Sequence, residues 1–232
     1  MEDSIFALLC LFGFWASVIY LICRAVKQAP IKMYLKKIKR TEEQTEVVKY
    51  FLNDGGCLAG RMSDEEYDAI TEKFLSQDFR SKALDRIGLD EEELKEVPPL
   101  FLHDYNYNQS TLACQGDDEK WRSSSYQVSW LFFSSNQLYL YQENANFDHS
   151  ERRVTTEELY YKDVTAFSAT TETEMFIESF DRLGREKYGY RETTKLCIVV
   201  PGTKFYAAMT PTPENERAIQ GLRSKLREKK NS

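Results

Sequence analysis

The chain of 232 residues holds only two histidines, His103 and His149, far apart in sequence. Chemistry that needs a histidine cluster is nearly excluded, and neither ring has metal-ligand partners at helix or hairpin spacing. The five cysteines stand at irregular intervals, so there is no disulfide framework and no zinc spacing. Cys57, Cys114 and Cys197 sit in apolar surroundings and read as inert thiols. No glycine-rich loop precedes a helix, and no Gly-x-Ser-x-Gly elbow occurs. The consecutive carboxylates Asp90 to Glu93 would point in different directions on a helix, so they make no acid/base pair. No Asp-x-Asp-x-Asp-Gly calcium loop is present. Excess positive charge is missing too: the net charge of −6 argues against a general nucleic-acid binder. These absences predict a non-enzymatic chain with no catalytic residue, no metal and no cofactor.

What is present begins with a long apolar run. Ile5 to Cys23 carry no charge over nineteen residues. As a helix the run would extend about 28 Å, near the thickness of a bilayer's hydrocarbon. The acidic leader Met1-Glu2-Asp3-Ser4 is unlike the basic start of a cleaved signal, so the run predicts an uncleaved transmembrane signal-anchor. Arg24, Lys27, Lys32, Lys36, Lys37, Lys39 and Arg40 follow with no acid among them. By the positive-inside rule residues 1–4 lie outside, residues 5–23 span, and the rest is cytoplasmic, at the cell membrane. The basic stem, residues 24–40, is also the candidate contact with anionic lipid headgroups.

Residues 41–97 read as an acidic helical linker. Thr41 with Gln44, and Ser63 with Glu66, have the form of capping boxes. Asn53-Asp54-Gly55-Gly56 is a helix stop. Further helix is expected around Ser81 to Ile87 and at Asp90 to Glu96. From Asp64 to Glu96 twelve acids face five bases, a balance of −7, which reads as a solvated face.

After Pro98-Pro99 the apolar period changes from 3.6 to 2, so residues 98–232 read as a β domain. Strands are expected at Leu100 to Tyr107, Tyr126 to Phe133, Gln137 to Gln142, Arg152 to Tyr161, Val164 to Thr170, Glu174 to Phe180, Lys195 to Val200 and Lys204 to Met209. Tyr126, Val128, Trp130 and Phe132 form one apolar face, as in a half-buried antiparallel strand. Asp181 to Glu192 is polar and reads as an exposed loop or hairpin tip. Arg152-Arg153 reads as an edge charge that blocks aggregation. Thr212 caps a last helix with Pro213 at its first position. The predicted class is α+β: an N-terminal transmembrane helix, a helical linker, then an antiparallel barrel or sandwich closed by a C-terminal helix.

Many antiparallel strands closed by one amphipathic helix resemble the pleckstrin-homology superfold. The run Trp121 to Phe133, with Gln137-Leu138-Tyr139-Leu140-Tyr141 and Tyr161-Lys162-Asp163-Val164, resembles uncharacterised single-span membrane proteins of Firmicutes. That resemblance implies a bacterial PH-like domain on a membrane stalk and brings no activity. The segment Val47 to Leu75 is similar to the short helix–turn–helix called SHOCT, which implies oligomerisation. Eukaryotic lipid-binding PH domains carry a basic pattern on their first hairpin. Here Asp117, Asp118 and Glu119 stand beside Lys120 and Arg122 and would repel a polyphosphate headgroup.

Tyrosine suits surfaces that are dry at one end and wet at the other. Tyr105, Tyr107, Tyr139 and Tyr141, in i, i+2 pairs, are therefore candidate partner contacts. The predicted function is a membrane-anchored cytoplasmic interaction or scaffold protein, presenting its PH-like domain to a protein partner or to its own copy. The alternative is a binder of anionic lipid headgroups or a small ligand.

Overall fold

The computed structural model describes residues 2–52, 62–90 and 98–231; the side chains of 2–13, 23, 24, 26–28, 225 and 229–231 lie outside that description. Four helices come first: α1 (Glu2–Lys37), α2 (Glu42–Leu52), α3 (Asp64–Leu75) and α4 (Phe79–Ile87). Nine strands follow: β1 (Leu100–Tyr105), β2 (Ala113–Gln115), β3 (Trp121–Ser123), β4 (Ser125–Phe133), β5 (Gln137–Asn146), β6 (Arg152–Tyr160), β7 (Ala166–Phe180), β8 (Glu186–Val200) and β9 (Thr203–Ala208). Helix α5 (Pro213–Asn231) ends the described chain.

The helix starts obey their local chemistry. Ser63 Oγ accepts from the Glu66 amide at 3.2 Å while Glu66 accepts from the Ser63 amide at 2.7 Å. Thr41 and Gln44 exchange the same pair at 3.2 and 2.9 Å. Thr212 accepts from the Asn215 amide at the start of α5. Each satisfies amides that a helix leaves unpaired at its first turn. The expected stop at Asn53 to Gly56 and the helix at Asp90 to Glu96 fall on residues outside the description, apart from Asp90 itself.

The membrane span does not hold. No helix among the described residues is long and apolar enough to cross a membrane. The transmembrane signal-anchor, the single-pass placement in the cell membrane and the outside-to-cytoplasm topology built on it are overturned with it. Phe14, Trp15, Ile19, Tyr20, Leu21 and Ile22 are all exposed on α1.

The closed barrel fails as well. The strands form a four-stranded antiparallel sheet in the order β1-β4-β5-β6, a two-stranded sheet β2-β3, and a three-stranded sheet β7-β8-β9. Closure would need a ladder between β9 and the larger sheet. Side chains take its place: Gln127 accepts from the Ala208 amide, and Gln142 Nε2 donates to the Tyr206 carbonyl at 2.8 Å. Those backbone groups are thus satisfied without a strand partner, and the sheets stay separate.

Strand β4 is buried on both faces rather than half-buried. Its Tyr126, Val128 and Phe132 pack against Phe74, Phe79, Ala83 and Leu84 of the helices. Its Leu131 and Phe133 pack with Leu196 and Ile198 of β8 and with Ile219 and Leu222 of α5. Polar residues of that second face are hydrogen-bonded too: Gln142 Nε2 of β5 donates to Ser129 Oγ at 3.1 Å, and Gln127 Nε2 donates to Asn144 Oδ1 at 3.0 Å. Helices α3 and α4 therefore cover the four-stranded sheet. Ile31 and Tyr34 of α1 join Val47, Tyr50 and Phe51 of α2 and Tyr67 of α3 in a separate core that includes Ile177 of β7.

The segment Asp181 to Glu192 is mostly strand. Residues 166–180 make one strand, not two, and β8 runs back along it from Glu186. Thr, Tyr and Glu alternate there without an apolar face, because much of this hairpin is exposed on both sides.

Candidate functional site

Two arginine-centred clusters fix the helices to the strands. Arg122, on β3, is 1% exposed. Its Nε and Nη2 donate to the two Asp68 oxygens, both at 2.7 Å, and Nη1 and Nη2 donate to Asp118 at 2.8 and 2.9 Å. Asp64 stands 3.7 Å from the same guanidinium and accepts from Tyr50 OH at 2.8 Å and the Asp117 amide at 2.7 Å. The fork geometry of arginine meets two carboxylates at once here. It holds the Asp118 carboxyl well below the usual range through its hydrogen bonds. Gly116 is required beside it: a Cβ there would lie 2.4 Å from both Arg122 Nη1 and Asp64 Oδ2.

Arg40 ties α1 to the turn after β5. Its Nε donates to the Asp148 carbonyl at 2.8 Å, and Nη1 donates to the Tyr34 and Leu35 carbonyls at 3.2 and 3.3 Å, satisfying the end of α1. The buried Asp148 carboxylate accepts from Tyr34 OH at 3.4 Å, and burial pushes that phenol up to about 12. His149 bridges Asp148 at 2.9 Å and Glu151 at 3.0 Å, so it is held rather than solvated. The hydrogen bond to Asp148 raises its pKa. His103 Nδ1 lies 2.8 Å from Tyr126 OH, and burial lowers that ring's pKa.

A third arginine differs from both. Arg191, on β8, makes no ion pair or hydrogen bond with a described residue. Its guanidinium lies 5.5 Å from the ring centres of both Tyr107 and Trp121. It lines a cleft of about 110 Å³ with Asp104, Tyr105, Thr193 and Lys195, among others, where the end of β1 meets β3, β8 and β9. Phe176 braces the aromatic wall, 5.9 Å from the Tyr107 ring and 5.4 Å from that of Trp121. Opposite Phe176 stands Gly189, where a Cβ would meet the ring at 2.6 Å. Asp104 accepts from the Tyr105 amide at 2.7 Å and Thr210 Oγ1 at 3.3 Å, and burial raises its pKa. Lys195 is ion-paired with Glu174, whose other oxygen accepts from Thr193 at 3.0 Å. The cleft thus offers a planar cation beside two aromatic rings, the acids Asp104 and Glu192, and an aromatic wall.

Of the tyrosines named from sequence, Tyr105 and Tyr107 line this cleft. Tyr139 and Tyr141 lie buried under the helices. Tyr141 OH donates to Glu143 at 2.8 Å. Among the basic residues, Lys32, Lys36, Lys37 and Lys39 are exposed, Arg40 is drawn into the fold, and the side chains of Arg24 and Lys27 lie outside the description. Among the described residues, no group of three or more His, Cys, Asp and Glu could hold a metal. Sequence reasoning missed Arg191, Trp121 and Asp104 as site residues. Tyr188 and Tyr190 alternate with Gly189 and Arg191, a strand pattern set within an otherwise polar segment.

No family model matches the chain, and no curated protein matches it.

Proposed function

We infer that the chain is a non-enzymatic protein-interaction module that docks an acidic segment of a protein partner in the Arg191 cleft. The single observation behind this reading is a guanidinium 5.5 Å from the ring centres of both Tyr107 and Trp121 that makes no ion pair or side-chain hydrogen bond with a described residue. Arginine in that setting is pre-organised for a bidentate carboxylate, and the cost of ordering it is already met in the free protein. Asp104 gives the partner a second anchor, an acceptor for a backbone or side-chain N–H of the docked segment. Tyrosine, tryptophan and arginine together are the residues that dominate protein contacts. The order of strands and the C-terminal helix keep the PH-like resemblance as part of this proposal, as a scaffold for binding rather than for chemistry.

Panning the full chain against a random peptide library tests the reading. Sequences rich in Asp or Glu should be enriched, and Arg191→Ala should weaken their binding roughly tenfold or more, as loss of a charge-assisted hydrogen bond requires. Enriched peptides without acids, or equal binding by Arg191→Ala, would overturn it.

A further inference from the structure

Strand β6 is the outer strand of the four-stranded sheet. It pairs with β5 on one side, and no described strand pairs with the other. It runs nine residues with no proline, glycine or bulge. An edge of that kind invites another strand unless something blocks it. Only its charges could do so, and they are ordered in a particular way. Arg152 and Arg153 open the strand, Val154, Thr155 and Thr156 fill its middle, and Glu157 and Glu158 follow. Read backwards, every charge is replaced by its opposite.

Two copies laid antiparallel with Thr155 facing Thr155 set Arg152 against Glu158 and Arg153 against Glu157. Two-fold symmetry repeats both pairs on the other side of the axis. Moving the axis to Val154 sets both arginines against threonine and Glu151 against Glu157. Moving it to Thr156 sets Arg152 against Tyr160 and Arg153 against Leu159. The charges therefore discourage every neighbouring register and favour one. Arg152, Arg153, Thr156 and Glu158 are exposed. Arg153, Glu157 and Glu158 make no ion pair with a described residue, and Arg152 pairs with Glu143 at 3.6 Å and lies 5.5 Å from the Phe74 ring centre. The β-branched centre suits a paired strand, and directly opposed unlike charges stabilise one.

We propose that β6 is a self-recognition edge, at which a second copy of this chain adds its own β6 antiparallel about Thr155. The two four-stranded sheets then continue into one another. This contact lies on a different surface from the Arg191 cleft and does not depend on it.

The register makes the proposal testable in the full chain. Directly opposed antiparallel residues have Cα atoms about 4.5–5.5 Å apart, within the span of a disulfide. Under mild oxidation Thr155→Cys should give a covalent dimer on a non-reducing gel. Thr156→Cys, opposite Val154, should give at most the background of the parent chain and its native cysteines. In the Thr155→Cys chain, the paired change Arg152→Glu with Arg153→Glu should abolish the dimer, as should Glu157→Arg with Glu158→Arg. Mixing the two reversed chains should restore it, as a mixed dimer. Added to the Thr155→Cys chain, Arg191→Ala should leave the cross-linking unchanged, which separates this contact from the cleft. Equal cross-linking by Thr155→Cys and Thr156→Cys, or reversed chains that cross-link alone as well as the Thr155→Cys chain does, would overturn the proposal.

Discussion

Arg122 and Arg191 are the same residue type on neighbouring parts of one β domain, and their surroundings are opposite. Arg122 is enclosed by Asp68, Asp118 and Asp64, and joins α3 to the β2–β3 hairpin. Arg191 lies near two rings and makes no ion pair with a described carboxylate, although its charge reaches Asp104 across the cleft. The first arginine has its donors committed to the fold; the second donates to no described side chain. A buried charge is tolerated only when paired, whereas an aromatic face holds a guanidinium without neutralising it. The contrast separates a residue committed to stability from the residue proposed here for recognition.

The largest effect should come from breaking the paired side. Arg122→Ala leaves three carboxylates around an empty site, and denaturant unfolding should show a loss of about 3 kcal/mol, typical when one partner of a buried pair is removed. Peptide binding at Arg191 should persist in whatever fraction remains folded. Gly116→Ala should cost about 1–3 kcal/mol by the same measurement, since the new methyl meets a guanidinium and a carboxylate that are already locked.

Acid should act on the Arg122 cluster as well. Asp118 has its folded pKa depressed by hydrogen bonds from Arg122. Its contribution is complete above the ordinary aspartate value of about 4 and is lost as pH falls through the depressed folded value. Unfolding between about pH 5 and pH 2 should reveal that loss, and Arg122→Ala should flatten it.

His149 sharpens the comparison with a smaller, opposite dependence. Its folded pKa is raised by Asp148 and Glu151. Its contribution is therefore full below the ordinary histidine value of about 6.5 and is lost as pH rises through the folded value. Thermal melts should fall by less than about 1 kcal/mol in stability across that window, and His149→Gln should remove the slope. Arg191→Ala should do least to the fold, within about 1 kcal/mol, because only cation–π contacts are lost. A larger loss would erase the distinction between the two arginines.

Much of the fold is legible in local sequence. Ser63 with Glu66, and Thr212 with Pro213, announce helix starts because a cap needs only neighbours in the chain. The alternation from Tyr126 to Phe133 announces β4 for the same reason. The hairpin of β7 and β8 was harder, since residues exposed on both faces show no apolar period. The short strands β2 and β3 carry too few residues to show one at all. The candidate site was legible only in Tyr105 and Tyr107; Tyr139 and Tyr141 share their pattern and lie in the core.

The amino-acid sequence alone determined where helices cap, where strands alternate, and that no ordinary catalytic signature is present. These depend on residues a few positions apart. Only the tertiary structure decided which arginine is neutralised, since Arg122 and Asp68 are 54 residues apart along the chain. It also decided that the sheets stay open, because Gln127 and Gln142 occupy the edge of β9 that a barrel would have paired. Pairings across such distances depend on which surfaces pack together, and no local pattern encodes them.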